Sequence, residues 1–317
     1  MKVMNLLSYY YLIKPFIPRR IQLALRRLMA SRKRKNTTNI WPICPSAGTP
    51  PKNWSGWPNQ KKFALLLCHD VDTKKGHGRC TRLMEMEEQR GFRSSFNFVP
   101  GDYSVSSELR RRLGESGFEV GVHGLKHDGK LFSSRRLFDL RAPKIDKYLR
   151  EWEAVGFYSP AMYRNEKWIA ELDIEYACST FDTDPFEPQQ NNVWSIFPLW
   201  IWNEAKARGY VELPYTLPQD HCLFAILKEQ DTRIWLDKLD WVAQRGGMVR
   251  LNAHPDYMNF DGTRRSNEEY PASFYGSFLD HINKNYAGQY WHVLPRELAR
   301  FWRKTMAAFP EKPPKSK

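Results

Sequence analysis

From Phe63 onward, short apolar runs alternate with stretches of helical period: FALLLC, then CTRLMEMEEQRG, SSFNFV, SSELRRRLGESG, FEVGV and SSRRLFDLRAPKIDKYLREWEAVG. Later EKWIAELD precedes IEYACSTF, and TRIWLDKLDWVAQRGG precedes MVRLNA. Four to six apolar residues bounded by turn formers suit buried strands, and the segments between them suit crossover helices. Gly91, Gly117, Gly156 and Gly247, each just ahead of a strand, read as left-handed helix stops. Such alternation requires a parallel α/β sheet with helices packed outside it, either open or closed into a barrel. In both forms function gathers at the carboxyl ends of the strands.

Three expected strand ends carry ionisable groups. FALLLCHDVDT runs from Phe63 through Cys68, the expected last strand residue, into His69, Asp70 and Asp72. FEVGV is followed by His123 and, four residues on, His127; MVRLNA is followed by His254, Pro255 and Asp256. Two imidazoles and one carboxylate form a ligand set for zinc or a similar divalent ion that leaves positions open for water and substrate. Period-two spacing points Asp70 and Asp72 the same way, so one is placed to bind the ion and the other to accept a proton. His254, on another strand end, is then free to protonate a leaving group. Taken singly, H-x-x-x-H and D-x-D are more often surface histidines or solvated turns. Their arrival at successive strand ends is what makes a site.

The formal net charge of +14 invites a nucleic-acid reading, but its distribution argues otherwise. Residues 1–36 hold ten Lys or Arg and no acid, leaving only +4 for the rest. That arm contains LLSYYYLI and RRIQLALRRLM, in which Ile21, Leu25, Leu28 and Met29 fall at helical spacing beside paired arginines. Its composition suits a helix lying on an anionic membrane surface, or a basic arm docked on the protein's own body. No span is expected, since Val3 to Ile13 falls short of the roughly 20 residues a bilayer needs. Without a cleavage-site pattern after Lys14, the body is expected in the cytoplasm, peripheral on the membrane. Five cysteines without C-x-x-C spacing suggest neither a disulfide framework nor a thiolate metal site. The expected divisions are the arm (1–36), a Pro/Gly/Trp-rich connector (37–61), a catalytic domain (62–302) and a polar tail (303–317).

The order HDVD, HGLKH, GFYSP, STFDTDPFE, LPYTLP and RLNAHPD resembles the polysaccharide deacetylase family with its nodulation-protein homology domain, from Phe63 to about Tyr257. The resemblance implies a distorted (β/α) barrel of seven strands and metal-dependent hydrolysis of an acetyl group, on nitrogen first, from a sugar in a polysaccharide, lipid-linked glycan or cell-envelope precursor. It implies Asp70 as general base, Asp72, His123 and His127 as ligands of a divalent ion, zinc (Zn2+) foremost, and His254 as general acid. A backbone N–H at Tyr163 or Arg164 is expected to serve the oxyanion. Two departures stand out. Val71 separates two aspartates that the family usually has adjacent, and Tyr158 stands where it usually has an arginine that pairs with the base. Arg164 reaches Asp70 instead, or the base lacks a cationic partner and the chain binds carbohydrate or metal without turnover. Asp182 and Asp184 are candidate carboxylates behind the site, or simple turn residues before Pro185.

Overall fold

The computed structural model describes residues 18–186, 189, 192–204, 207–262 and 266–306. The strands are β1 (Phe63–Val71), β2 (Ser95–Phe98), β3 (Glu119–Val122), β4 (Gly156–Tyr158), β5 (Tyr176–Cys178), β6 (Leu199–Asn203), β7 (Arg208–Glu212) and β8 (Met248–Asn252). Two-residue strands β9 (Met258–Asn259) and β10 (Tyr270–Pro271) and a last strand β11 (Tyr290–His292) follow. Neighbours run β1-β2-β3-β4-β5-β7, all parallel, with β8 parallel to β1 on its other side. The wall closes where the chain after β7 meets β8: Leu217 N donates to Arg250 O (3.1 Å), and Thr216 Oγ1 accepts from Arg250 N (2.8 Å). Seven parallel strands therefore form a distorted barrel, as expected. β6 lies antiparallel on β7, and β11 lies parallel on the start of β1.

β1 is the axis of this arrangement. All nine of its residues are buried, and both its edges are paired, by β8 on one side and by β11 and then β2 on the other. Three consecutive leucines, Leu65 to Leu67, are at most 1% exposed, each burial stabilising by about 1.5–3 kcal/mol. The strand continues past Cys68, since Cys68 to Val71 pair with Ser95 to Phe98 of β2. The rim at this point consequently begins at Asp72. Alternation then sends Asp70 to one face and His69 to the other, where its Nε2 meets Glu87 (2.9 Å) and its Nδ1 meets Ala253 O (2.7 Å). His69 thus serves the helix layer, not the strand-end cluster.

Helices pack outside the wall. Ser106, Ser134 and Asn165 cap three of them by accepting from Leu109 N, Leu137 N and Trp168 N. Gly91 and Gly117 adopt positive φ as expected, but the helix Arg233–Arg245 stops on Gly246 (φ 70°), one residue before Gly247. Gly156 is no helix stop either. It opens β4, where a Cβ would sit 2.1 Å from the Tyr176 hydroxyl.

The segment expected as a connector is part of the body. Trp41, Cys44, Ala47 and Trp57 belong to the main core, and Trp57 Nε1 donates to Gly246 O (2.8 Å) near the amino end of β8. Its lack of either apolar period reflects irregular packing across the barrel's lower end, not a free linker. The last helix runs to Met306, past the expected boundary at 302.

The arm forms a helix from Arg19 to Lys35. Leu23 and Ala30 pack on Ile226, Arg27 donates to Ala225 O (3.0 Å) and Asn267 O (2.9 Å), and Arg34 pairs with Glu229 (2.5 Å). The opposite stripe, Ile21, Leu25, Leu28 and Met29, is 42–56% exposed. The LLSYYYLI run lies outside the described residues, and among those described no helix is long and apolar enough to cross a membrane.

Candidate active site

Asp72, His123 and His127 converge at the upper end of the barrel. Asp72 Oδ1 lies 3.4 Å from His123 Nε2 and 3.4 Å from His127 Nε2. The turn between the two imidazoles depends on Gly124 (φ 65°), where a Cβ would approach Pro160 Cγ to 2.4 Å. His123 Nδ1 sits 3.2 Å from Tyr158 O, so it donates there and leaves the Nε2 lone pair aimed at Asp72. The backbone N–H of His127 is held by Asp102 Oδ2 (2.7 Å). Asp256 fixes the loop from the other side, accepting from Asp72 N (3.0 Å) and Thr73 Oγ1 (2.5 Å).

These three residues fit a divalent cation. Asp72 Oδ1 is buried and has no hydrogen-bond donor among the described residues, although both neighbouring imidazoles point nitrogen at it. Burial raises the Asp72 carboxyl, but His127, His123 and His254 override this and hold it well below the usual range. His127 is lowered, chiefly by burial, which keeps its lone pair available. Burial also works against a charge on His123, yet Asp70 and Asp72 raise it. The negative field that draws a proton to His123 equally draws a metal ion.

Asp70 stands beside this group, with Oδ2 4.0 Å from His123 Nδ1. Its carboxylate is held by neutral donors: Asn97 Nδ2 on Oδ1 (2.9 Å), Asn252 Nδ2 (2.9 Å) and Tyr215 Oη (3.3 Å) on Oδ2. Asn252 Nδ2 is also 3.5 Å from His254 Nε2, so one amide spans Asp70 and His254. His254 in turn is fixed by Asp220, whose Oδ1 accepts from Nδ1 (2.6 Å) and whose Oδ2 accepts the backbone N–H (2.7 Å) and the Tyr270 hydroxyl (3.0 Å). Burial lowers His254, but Asp220 first, then Asp72 and Asp70, raise it to about 10. A cleft of about 480 Å³ opens beside Asp72 and His127, walled by Thr73, Lys74, Asp102, Tyr103 and Ser104.

The five leading residues thus come together, whereas the three residues expected behind them are engaged elsewhere. Arg164 contacts Ser179 O (3.4 Å) and Glu166 (3.6 Å). Asp182 is buried against Lys238 Nζ (2.6 Å) of the helix Arg233–Arg245. Asp184 accepts from Phe186 N (2.7 Å), the turn role weighed for it. The expected oxyanion donors are also used: Tyr163 N donates to Pro160 O (3.4 Å) and Arg164 N to Gln189 Oε1 (2.9 Å). Tyr158 turns into the barrel, its hydroxyl meeting Ser95 Oγ (2.9 Å) and Tyr176 Oη (3.1 Å). Sequence reasoning missed Asn97, Asn252 and Asp220. Asp220 lies two residues beyond LPYTLP, a segment that carries the resemblance but to which no side-chain role was assigned.

No protein-family model and no curated protein sequence matches the chain. Solved structures do match in fold. A Mycobacterium smegmatis protein assigned as a polysaccharide deacetylase superposes with a TM-score of 0.61 at 18% identity, over 81% of this chain and 95% of its own. An allantoinase gives 0.63 at 14%, over 83% and 96%. A Pseudomonas aeruginosa protein also assigned as a polysaccharide deacetylase gives 0.61 at 14%, over 81% and 95%. The chain has the fold these proteins share.

Proposed function

We propose that the protein is a divalent-metal-dependent hydrolase that removes an acetyl group from a sugar, most directly from an amide nitrogen. The observation that carries this reading is Asp72 Oδ1, buried and facing two imidazole nitrogens at 3.4 Å each. The deacetylase fold of two of the matching structures supports the substrate class. Asp72, His123 and His127 would hold the ion, zinc foremost, which when bound supplies Lewis acidity to a carbonyl and acidity to a water. Asp70 takes the proton of the attacking water, and Asn97 and Asn252 keep its carboxylate oriented for that transfer. His254, protonated through its contact with Asp220, gives a proton to the departing amine. Base and acid each having their own fixed partners favours turnover over a binding-only relative.

Purified protein is expected to bind one zinc per chain, and chelation to abolish acetate release from N-acetylated oligosaccharides until zinc is returned. His123→Ala is expected to weaken zinc binding by more than the roughly 10–100-fold that loss of an outer hydrogen bond costs. Unchanged metal content in that variant would remove the reading.

The arm supports a cytoplasmic enzyme peripheral on anionic membrane, with a lipid-linked or cell-envelope glycan as substrate. Docking and membrane contact are compatible here, because Leu23, Arg27, Ala30 and Arg34 face the body while Ile21, Leu25, Leu28 and Met29 face outward. Leu25→Glu with Met29→Glu is expected to release the protein from phosphatidylglycerol vesicles at low salt without changing acetate release from a soluble substrate. Equal co-sedimentation of both proteins would refute the membrane contact.

A further inference from the structure

Arg250 lies inside the barrel with no exposed surface, projecting from β8 opposite Leu66 of β1. Its guanidinium carbon is 3.7 Å from the Tyr215 ring centroid and 5.8 Å from that of Tyr158. Nη1 donates to Leu213 O (2.6 Å), Nε and Nη2 meet no oxygen or nitrogen acceptor, the neighbouring Cys68 sulfur is only a weak one, and among the described residues the group makes no ion pair with a carboxylate. A buried guanidinium left without a counter-ion is costly, and its unscreened charge acts strongly on whatever it touches. The Tyr215 ring that carries it also carries the hydroxyl that donates to Asp70 Oδ2 (3.3 Å).

We propose that Arg250 is a positioning residue for Asp70, its charge acting through the Tyr215 phenol in place of the arginine missing at position 158. A cation on the ring face draws density from the π system, and the polarised O–H becomes a stronger donor to the carboxylate. Tyr158 completes the arrangement by offering a second ring to the guanidinium. An arginine there would set a second buried cation against Arg250, so the two solutions exclude each other. The proposal rests on the reading of Asp70 as base, and it names which group supports that base.

The test combines Arg250→Met, which keeps volume, Arg250→Lys, which keeps charge, and Tyr215→Phe, which keeps the ring. Arg250→Met and Tyr215→Phe are each expected to lower kcat about tenfold or more, with KM and zinc content unchanged. The double variant should fall no further than the worse single one, since both cut the same path. Arg250→Lys should recover part of the loss. A second readout needs no turnover: whatever its sign, the melting shift caused by Arg250→Met should be less favourable in the wild-type chain than in an Asp70→Asn background, because only the former loses support for a carboxylate. Multiplying kcat losses, or equal melting shifts in both backgrounds, would overturn the proposal. A wild-type chain that releases no acetate would refute the hydrolase reading, and the melting comparison would then decide the Arg250 proposal alone.

Discussion

Asparagine at position 70 should lower kcat by about 10²–10⁴-fold, the range for loss of a positioned general base, while zinc binding persists. The substitution is nearly isosteric, and Asp72, His123 and His127 are untouched. What changes is proton affinity and donor matching. Asp70 Oδ1 accepts from Asn97 and Oδ2 from Asn252 and Tyr215, so an amide NH2 on either side confronts an existing donor. That mismatch should also lower stability by about 1–3 kcal/mol, the usual cost of leaving buried polar groups unpaired. Acetate release, bound zinc and urea midpoint measured together separate the effects. Full activity in this variant would take the base role from Asp70; lost zinc would show that Asp70 belongs to the ion's ligand set.

The strand-helix rhythm was legible because a buried parallel wall favours apolar residues on its strands, as FALLLC shows, and MVRLNA keeps the rhythm even with Arg250 and Asn252 buried in it. The site was legible where strand periodicity and strand ends govern geometry: Asp70 with Asp72, His123 with His127, and His254. Legibility failed where one side chain must cross between distant segments. Asn97 looks like an ordinary polar residue in SSFNFV, and only the register of β1 with β2 places it opposite Asp70. Asp220 precedes a seven-residue π-helical turn, His221–Leu227, for which apolar spacing gave no signal. Irregular packing hid the role of residues 37–61 for the same reason: Trp41 and Trp57 enter the core from chain that has no period to read. Motif resemblance supplied Asp182 and Asp184 as carboxylates, but it could not supply Lys238, which claims the first, or the turn that uses the second.

The other large effect is expected at Asp220, a residue found only in the folded chain. Its carboxylate accepts the His254 N–H at Nδ1 and so fixes both the tautomer and the direction of Nε2. Asp220→Asn presents an amide to the His254 backbone and ring N–H groups, the His221 N–H and the Tyr270 hydroxyl. At least one of these meets a donor where it had an acceptor. Loss of acid catalysis together with a misplaced ring should cost about 10²–10⁴-fold in kcat. The pH profile tells this apart from general damage. His254 is raised to about 10, so the acid form persists through neutral pH and activity falls on the alkaline side. A divalent ion beside Asp72 would repel the imidazolium and pull that limb down, while Asp220 pulls it up. In Asp220→Asn burial acts against the charge without its main counterweight, and the alkaline limb should move down toward or below about 6.5. Stability follows the same sign. A raised folded-state value stabilises fully below the unfolded value and is lost as pH rises through the folded one. The difference in urea midpoint between wild type and variant should therefore be largest near pH 6 and shrink toward pH 10. An alkaline limb that stays in place in the variant would mean that some other group delivers the proton.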